Sequence, residues 1–390
     1  MARSIEALIT PEVLAWARDL DKISVEEASR RVNVTTARIE EWERGISRPT
    51  LRQAKELAKF YRVPFVHFYL PDIPKKIKRI EKVDYRTFGN VGAPFIQSRE
   101  LRWFLRDIDE RRDIMFELYK LEEKEPKPFT YRFPIETDPG VVAVFIRKLL
   151  NLSDEVQIKF RKPEAMLTYC ISKLEDLDVL IFQAAKIEPN EMRGLALGYE
   201  VFPIIALNRK DEASARLFTL IHELTHILFG TSGLCNDTSE SSTTTNKMEL
   251  LCNKIAGLVL VPESSLKKHP AIMSIKKYGF GDVYVNKMGR DFAVSKEVII
   301  HHLWSIGVIS RSVYFKTLQR YRDEYLSYKA KKKKGGYLPP ALDKGTQVGK
   351  LYAKTVLSTY YGDKISARDA SGYLLNLGTQ HFKNVERWCY

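Results

Sequence analysis

The chain is 390 residues long, and its 44% hydrophobic and 11% aromatic content supplies enough apolar surface for packed cores. An intrinsically disordered protein is excluded. The length exceeds one ordinary small domain and suggests two or three. With 63 Lys+Arg against 49 Asp+Glu the net charge is +14, a balance that points toward nucleic acid. No apolar run approaches the roughly eighteen residues that span a bilayer. Glu6 falls before an apolar signal segment can form. Cys170, Cys235, Cys252 and Cys389 are scattered, with no CxxC pair, and read as reduced thiols of a cytosolic protein. The expectation is a cytoplasmic chain without membrane contact.

The positive charge is unevenly spread. Residues 1–72 hold twelve basic and eleven acidic side chains, a net of +1. The excess lies downstream, in Lys75–Arg79 and in Lys329–Lys334, the latter just before Gly335–Gly336 and Pro339–Pro340. A solvated linker and a phosphate-contacting patch both fit these runs; the patch entails steep salt dependence of binding.

The first seventy residues predict a string of short helices. Pro11–Asp21 carries Val13, Leu14 and Ala17 at helical spacing, with Thr10 as its N-cap. Ser24 followed by Glu27 is a capping box that opens a helix to Val32. Asn33–Val34 turns the chain into a helix over Thr35–Arg44, which Gly45 ends. A helix over Leu51–Tyr61 follows, and Pro64 and Pro71 bracket a last short one. Two short helices across a brief turn, inside a small all-helical unit, predict a helix-turn-helix.

These residues carry a resemblance. Ile39, Trp42, Glu43, Gly45 and Pro49 form the pattern IxxWExGxxxP, and the segment closely resembles the phage-repressor-like (Xre/Cro-type) helix-turn-helix family. The resemblance implies binding of double-stranded DNA, an operator or the protein's own promoter. It makes Thr35–Arg44 the recognition helix, with Thr35, Thr36, Arg38 and Glu41 nearest the groove. Val25 departs from the family, standing where many members carry a phosphate-contacting Gln. Glu40, Glu41 and Glu43 also make the helix acidic, which opposes phosphate approach. A protein-docking use of the same module is the rival reading.

Residues 98–121 predict one long charged helix whose apolar set, including Leu101, Leu105, Ile108, Met115 and Leu118, serves packing. Beyond Phe133 helices are expected near Gly140–Leu150 and Glu164–Leu174, with strands at Val179–Phe182 and Val201–Leu207. Pro203 suits an edge position, and an edge there can pair with an extended substrate backbone.

Phe218–Gly230 reads FTLIHELTHILFG, a helix containing His222, Glu223 and His226. Residues four apart share a helix face, so both imidazoles can reach one ion. Glu223 projects beside them, where a carboxylate can take a proton from water that zinc has polarised toward a pKa of about 7. Two helix histidines half-buried among Leu220, Ile227 and Leu228 is the structural alternative. A zinc hydrolase needs a third protein ligand and an open position. Glu249 is the best candidate, at the start of a helix running to Val261; Cys235 and His269 are the alternatives. Asn253 lies one turn beyond Glu249, placed to accept a hydrogen bond from a ligand histidine. The polar stretch from Gly230 to Lys247 reads as a mobile lid or a slack linker. Tyr199 is the candidate oxyanion stabiliser.

Asn208, Arg216, Phe218, Thr219, His222, Glu223, His226, Glu249, Asn253, Ala256 and Pro262 together resemble the ImmA/IrrE metallopeptidase family over about residues 160–310. The resemblance implies zinc as cofactor, His222, His226 and Glu249 as its ligands and Glu223 as general base. Thr225 replaces the usual Gly of the motif, and Cys252 the usual Ala. The resulting fold class is α+β: an N-terminal all-α helix-turn-helix bundle, a central zincin-like metallopeptidase domain with a small sheet, and a mainly helical C-terminal extension. The expected boundaries are 1–73, 74–130 for a connector, 131–310 and 311–390. The tail carries helices at Leu351–Thr359 and from Ser366, a packing cap or a docking surface. Members that fuse these domains cut regulatory DNA-binding proteins, so a regulatory protein substrate is implied. The alternative is a non-catalytic antitoxin or repressor that binds a PIN-ribonuclease-type toxin. A homodimer is compatible with either; a plain transcription factor with structural zinc is a third reading.

Overall fold

In a computed structural model, which describes residues 5–74, 98–231, 233–235, 243–331 and 338–390, capping chemistry sets the N-terminal helices. These are α1 (Pro11–Asp19), α2 (Val25–Val32), α3 (Thr36–Glu43) and α4 (Leu51–Phe60), followed by a 3-10 turn over Phe65–Tyr69. Ser24 with Glu27, and Thr50 with Gln53, form reciprocal capping boxes. Thr35 caps α3 by accepting from Arg38 N. Thr10 holds the N-cap position of α1, as expected, but its side chain makes no cap hydrogen bond. Its hydroxyl donates instead to Leu70 O at 2.7 Å, tying the start of α1 to the end of the 3-10 turn. Val13, Leu14, Ala28, Ile39, Trp42, Leu57 and Tyr61 form the core. The first residues of α5 (Arg99–Leu121), as far as Leu105, belong to this same compact unit. There Trp103 Nε1 donates to Asp21 Oδ2 at 2.6 Å, and Arg62 lies 4.0 Å over the Trp103 ring.

From Arg106 onward the described residues make a second compact unit, which takes in the rest of α5 and the C-terminal helices. Its elements begin with α6 (Pro139–Leu149), α7 (Asp154–Gln157), α8 (Pro163–Glu175), β1 (Leu180–Ala184), β2 (Gly194–Leu197) and β3 (Ile204–Asn208). Next come α9 (Ala213–Leu228), β4 (Gly233–Cys235) and α10 (Thr243–Leu260). Five helices follow: α11 (Glu263–Lys268), α12 (Pro270–Tyr278), α13 (Asp282–Asp291), α14 (Lys296–Ser305) and α15 (Arg311–Lys331). The tail holds α16 (Pro340–Val348), α17 (Lys350–Tyr361), α18 (Ala367–Tyr373) and α19 (Phe382–Cys389). The fold is α+β, as the sequence implied.

The sheet runs β1-β3-β2-β4, with β1 and β3 parallel and the other pairs antiparallel. This overturns the expected edge strand, because β3 is central. Pro203 stands one residue before β3, so its missing N–H removes no rung, and its carbonyl accepts from Leu180 N at 2.8 Å. The polar stretch after the zinc-motif helix is not structureless either. Gly233–Cys235 pair with β2, and α10 begins at Thr243, ahead of the expected start. The remainder of that stretch, residues 232 and 236–242, lies outside the described residues, as do Lys75–Arg79 and Lys332–Lys334 of the basic runs.

Helix α9 is apolar nearly all round. Leu217, Leu220, Ile221, Leu224, Ile227 and Leu228 are all buried, as a helix packed on every side requires. It lies against α8, α10, β2 and β3. The C-terminal helices α16 and α17 pack on β1, where the Phe182 ring meets Tyr352 edge-on. The tail therefore caps the core of this unit. No described helix is long and apolar enough to cross a membrane.

Candidate functional site

Helical spacing puts His222 and His226 on one face of α9, and the packing of α10 against α9 brings Glu249 to them. Among the described residues, these three offer ligand atoms that all lie within 4.8 Å of one another. The two Nε2 atoms are 3.1 Å apart. Glu249 Oε2 is 3.2 Å from His222 Nε2, and Oε1 is 3.3 Å from His226 Nε2. Zinc–nitrogen bonds of 2.0–2.1 Å at tetrahedral angles set neighbouring ligand atoms about 3.3 Å apart. The donor set therefore fits zinc in both chemistry and spacing.

Electrostatics bind the cluster together. Burial lowers the His222 pKa, but Glu249, Glu223 and the nearby Asn253 side chain outweigh it and leave the imidazole raised. Burial pushes Glu249 up, and the two histidines pull its carboxyl well below the usual range. Cys252, in the same turn of α10 region, is held as a thiol by burial and by the charges of Glu249 and Glu223.

Two contacts around the cluster had no signal in the sequence. Gly230, at φ 67, turns the chain back at the end of α9. The turn lets Thr231 N and its hydroxyl both donate to His226 O, at 2.9 and 3.1 Å. The same hydroxyl lies 3.0 Å from His226 Nδ1 and accepts from it, which leaves Nε2 facing Glu249 as a lone-pair donor. On the other flank, Glu223 is fully buried against β2. A Cβ at Gly194 would run into Glu223 Oε1 and Thr219 Cγ2, so only glycine lets the strand close on this carboxylate.

The other sequence candidates fall elsewhere. The Tyr199 hydroxyl donates to Asp109 Oδ1 at 3.2 Å, and its ring lies 3.8 Å beneath the Arg112 guanidinium. Those partners belong to α5, so Tyr199 serves packing there. His269 caps α12 by accepting from Ala271 N and bonds Asp291. Asn208 is fully buried and ties the sheet: its amide donates to Ile187 O and Met192 O, and its oxygen accepts from Lys210 N. Arg216 donates to Gln183 on β1.

In the first unit, Thr35, Thr36 and Arg38 lie exposed on α3, opposite buried Ile39 and Trp42. The expected acidity of this helix is corrected by its partners. Glu43 takes a two-bond grip from Arg18, at 2.7 and 2.9 Å, and Glu40 accepts from Arg44. Glu41 accepts from Arg38 at 2.8 Å and Ser47 at 3.0 Å, which hold its carboxyl below the usual range. Each carboxylate is matched locally, so the helix presents no uncompensated negative face to phosphate.

Residues 175–303 match the family model described as the IrrE N-terminal-like domain, and residues 14–68 match the one described as helix-turn-helix. No curated protein matches the chain in sequence. The chain thus joins an Xre-type helix-turn-helix segment to an IrrE/ImmA-like segment, the two-domain architecture that its sequence implied.

Proposed function

We propose that the chain is a zinc-dependent endopeptidase that cleaves a regulatory protein, coupled to a module that binds operator or promoter DNA. The observation that carries the reading is the convergence of His222, His226 and Glu249 on one point, with Glu223 buried beside it. Zinc held by these three residues would polarise a peptide carbonyl and lower the pKa of water toward about 7. Glu223 is the proton carrier, taking a proton from the attacking water and delivering it to the departing amine. Its tight seat against Gly194 and Thr219 keeps the carboxylate from swinging away. Thr231 orients the His226 imidazole, and Asn253, one turn beyond Glu249 on α10, is the residue assigned to support His222. In the first unit, α3 is the groove-reading helix and its exposed N-terminal residues meet the bases.

Elemental analysis of purified protein is expected to find about one zinc per chain, lost or reduced in Glu249→Ala. Glu223→Gln is expected to keep the zinc and to abolish cleavage of a co-expressed regulator. Wild-type protein that stays zinc-free after reconstitution would sink the peptidase reading.

A further inference from the structure

We propose that Arg38 reads a guanine in the major groove, and that Glu41 and Ser47 hold its guanidinium in the reading position. The inference rests on the DNA-binding reading of α3 and adds the base that this helix selects. Arg38 is the third residue of α3, on the exposed face with Thr35, Thr36 and Ala37. Its Nη1 donates to Glu41 Oε2 at 2.8 Å and to Ser47 Oγ at 3.4 Å, while Ser47 Oγ donates to the same Oε2 at 3.0 Å. This closed ring of three side chains ties the helix to the turn that follows it.

Two consequences follow from that ring. Both of these bonds use Nη1, so Nη2 and Nε keep the paired N–H edge that matches guanine O6 and N7. An arginine ordered before binding also loses less side-chain freedom when it docks. The alternative use, a phosphate contact, is disfavoured by charge. The Arg38–Glu41 pair is neutral as a unit, and a neutral pair gains little from a phosphate but still offers directed hydrogen bonds to a base edge. Phosphate contacts fall more naturally to Arg48 and Arg52, which are exposed beyond the end of α3.

The test uses the full chain on a randomised duplex pool, followed by titrations on duplexes that differ at a single base pair. Wild-type protein is expected to enrich guanine at one position of its site, and A·T there is expected to weaken binding roughly ten-fold or more. Arg38→Ala and Arg38→Lys should both flatten that position while circular dichroism stays unchanged. Arg38→Lys should also keep the wild-type salt slope. Glu41→Gln and Ser47→Ala should weaken the guanine preference at that position, by less than Arg38→Ala does. Selective binding that survives Arg38→Ala with the same guanine overturns this inference alone. So does an equal loss on every sequence with a shallower salt slope, the mark of a phosphate contact. Failure of the wild-type protein to bind any duplex overturns the DNA-binding reading, and this inference with it.

Discussion

At the residue scale, the proposed metal centre depends on which nitrogen of each histidine carries its proton. His226 can offer Nε2 to an ion only while Nδ1 donates elsewhere, and the Thr231 hydroxyl is the acceptor. That hydroxyl is oriented by its own bond to His226 O. Thr231→Val preserves shape and removes the acceptor, so zinc affinity is expected to fall roughly ten- to a hundred-fold in a chelator competition. Thr231→Ser is expected to keep most of it. Equal affinities for Val and wild type would show that the hydroxyl does not orient the ligand.

At the scale of elements, β2 and α9 approach so closely that one side chain decides their spacing. A methyl at Gly194 meets Glu223 and Thr219 at once, and both stand on a helix packed on all sides. Gly194→Ala must therefore push the strand outward or turn the Glu223 carboxylate. The expected cost is about 1–3 kcal/mol in denaturant unfolding, typical of overpacking. The atoms nearest such a methyl belong to Glu223 and Thr219 rather than to the proposed metal ligands, so zinc content should hold while cleavage falls. Wild-type cleavage together with a wild-type midpoint would refute the assignment.

At the scale of the whole molecule, the C-terminal helices are fastened to the peptidase-like core through a buried acid. Glu175, at the end of α8, accepts from Leu351 N at 3.1 Å at the start of α17. Burial raises its carboxyl to about 7, against the pull of the Leu351 and Lys350 amides and the Lys350 charge. The folded state therefore keeps this proton to higher pH than the unfolded chain, whose carboxyl titrates near 4.5. Stability from this group is full below about 4.5 and is lost as pH rises toward 7, by an amount on the order of 3 kcal/mol. Glu175→Gln imitates the neutral acid. It is expected to melt above wild type at pH 8 and to converge with it at pH 5. A constant difference across that range would place the effect in packing rather than in the proton.

The division between what was legible and what was not follows the range of the interactions. Helix hydrogen bonds and caps are local, so Ser24 with Glu27, the left-handed Asn33 and Gly45, and the long α5 could all be read from spacing. The His222–His226 face belongs to the same class, and Glu249 was reachable because it too sits on a helix with a definite phase. Strand pairing is not local. β2 and β4 are only four and three residues long, and nothing in their own residues says that β3 lies between β1 and β2. Tyr199 looked placed for catalysis because it neighbours a strand in sequence, yet its partners Asp109 and Arg112 come from α5, about ninety residues away. Thr10 occupies the N-cap position that its type and place implied, but its hydroxyl bonds a carbonyl sixty residues away instead of the helix. The helices, the two modules and the His222–His226 pattern were readable along the chain because each rests on contacts within a few turns. The strand order, the room at Gly194, the Thr231 hold on His226 and the pairing of Glu43 with Arg18 were not readable, because each joins groups that the chain brings together by folding.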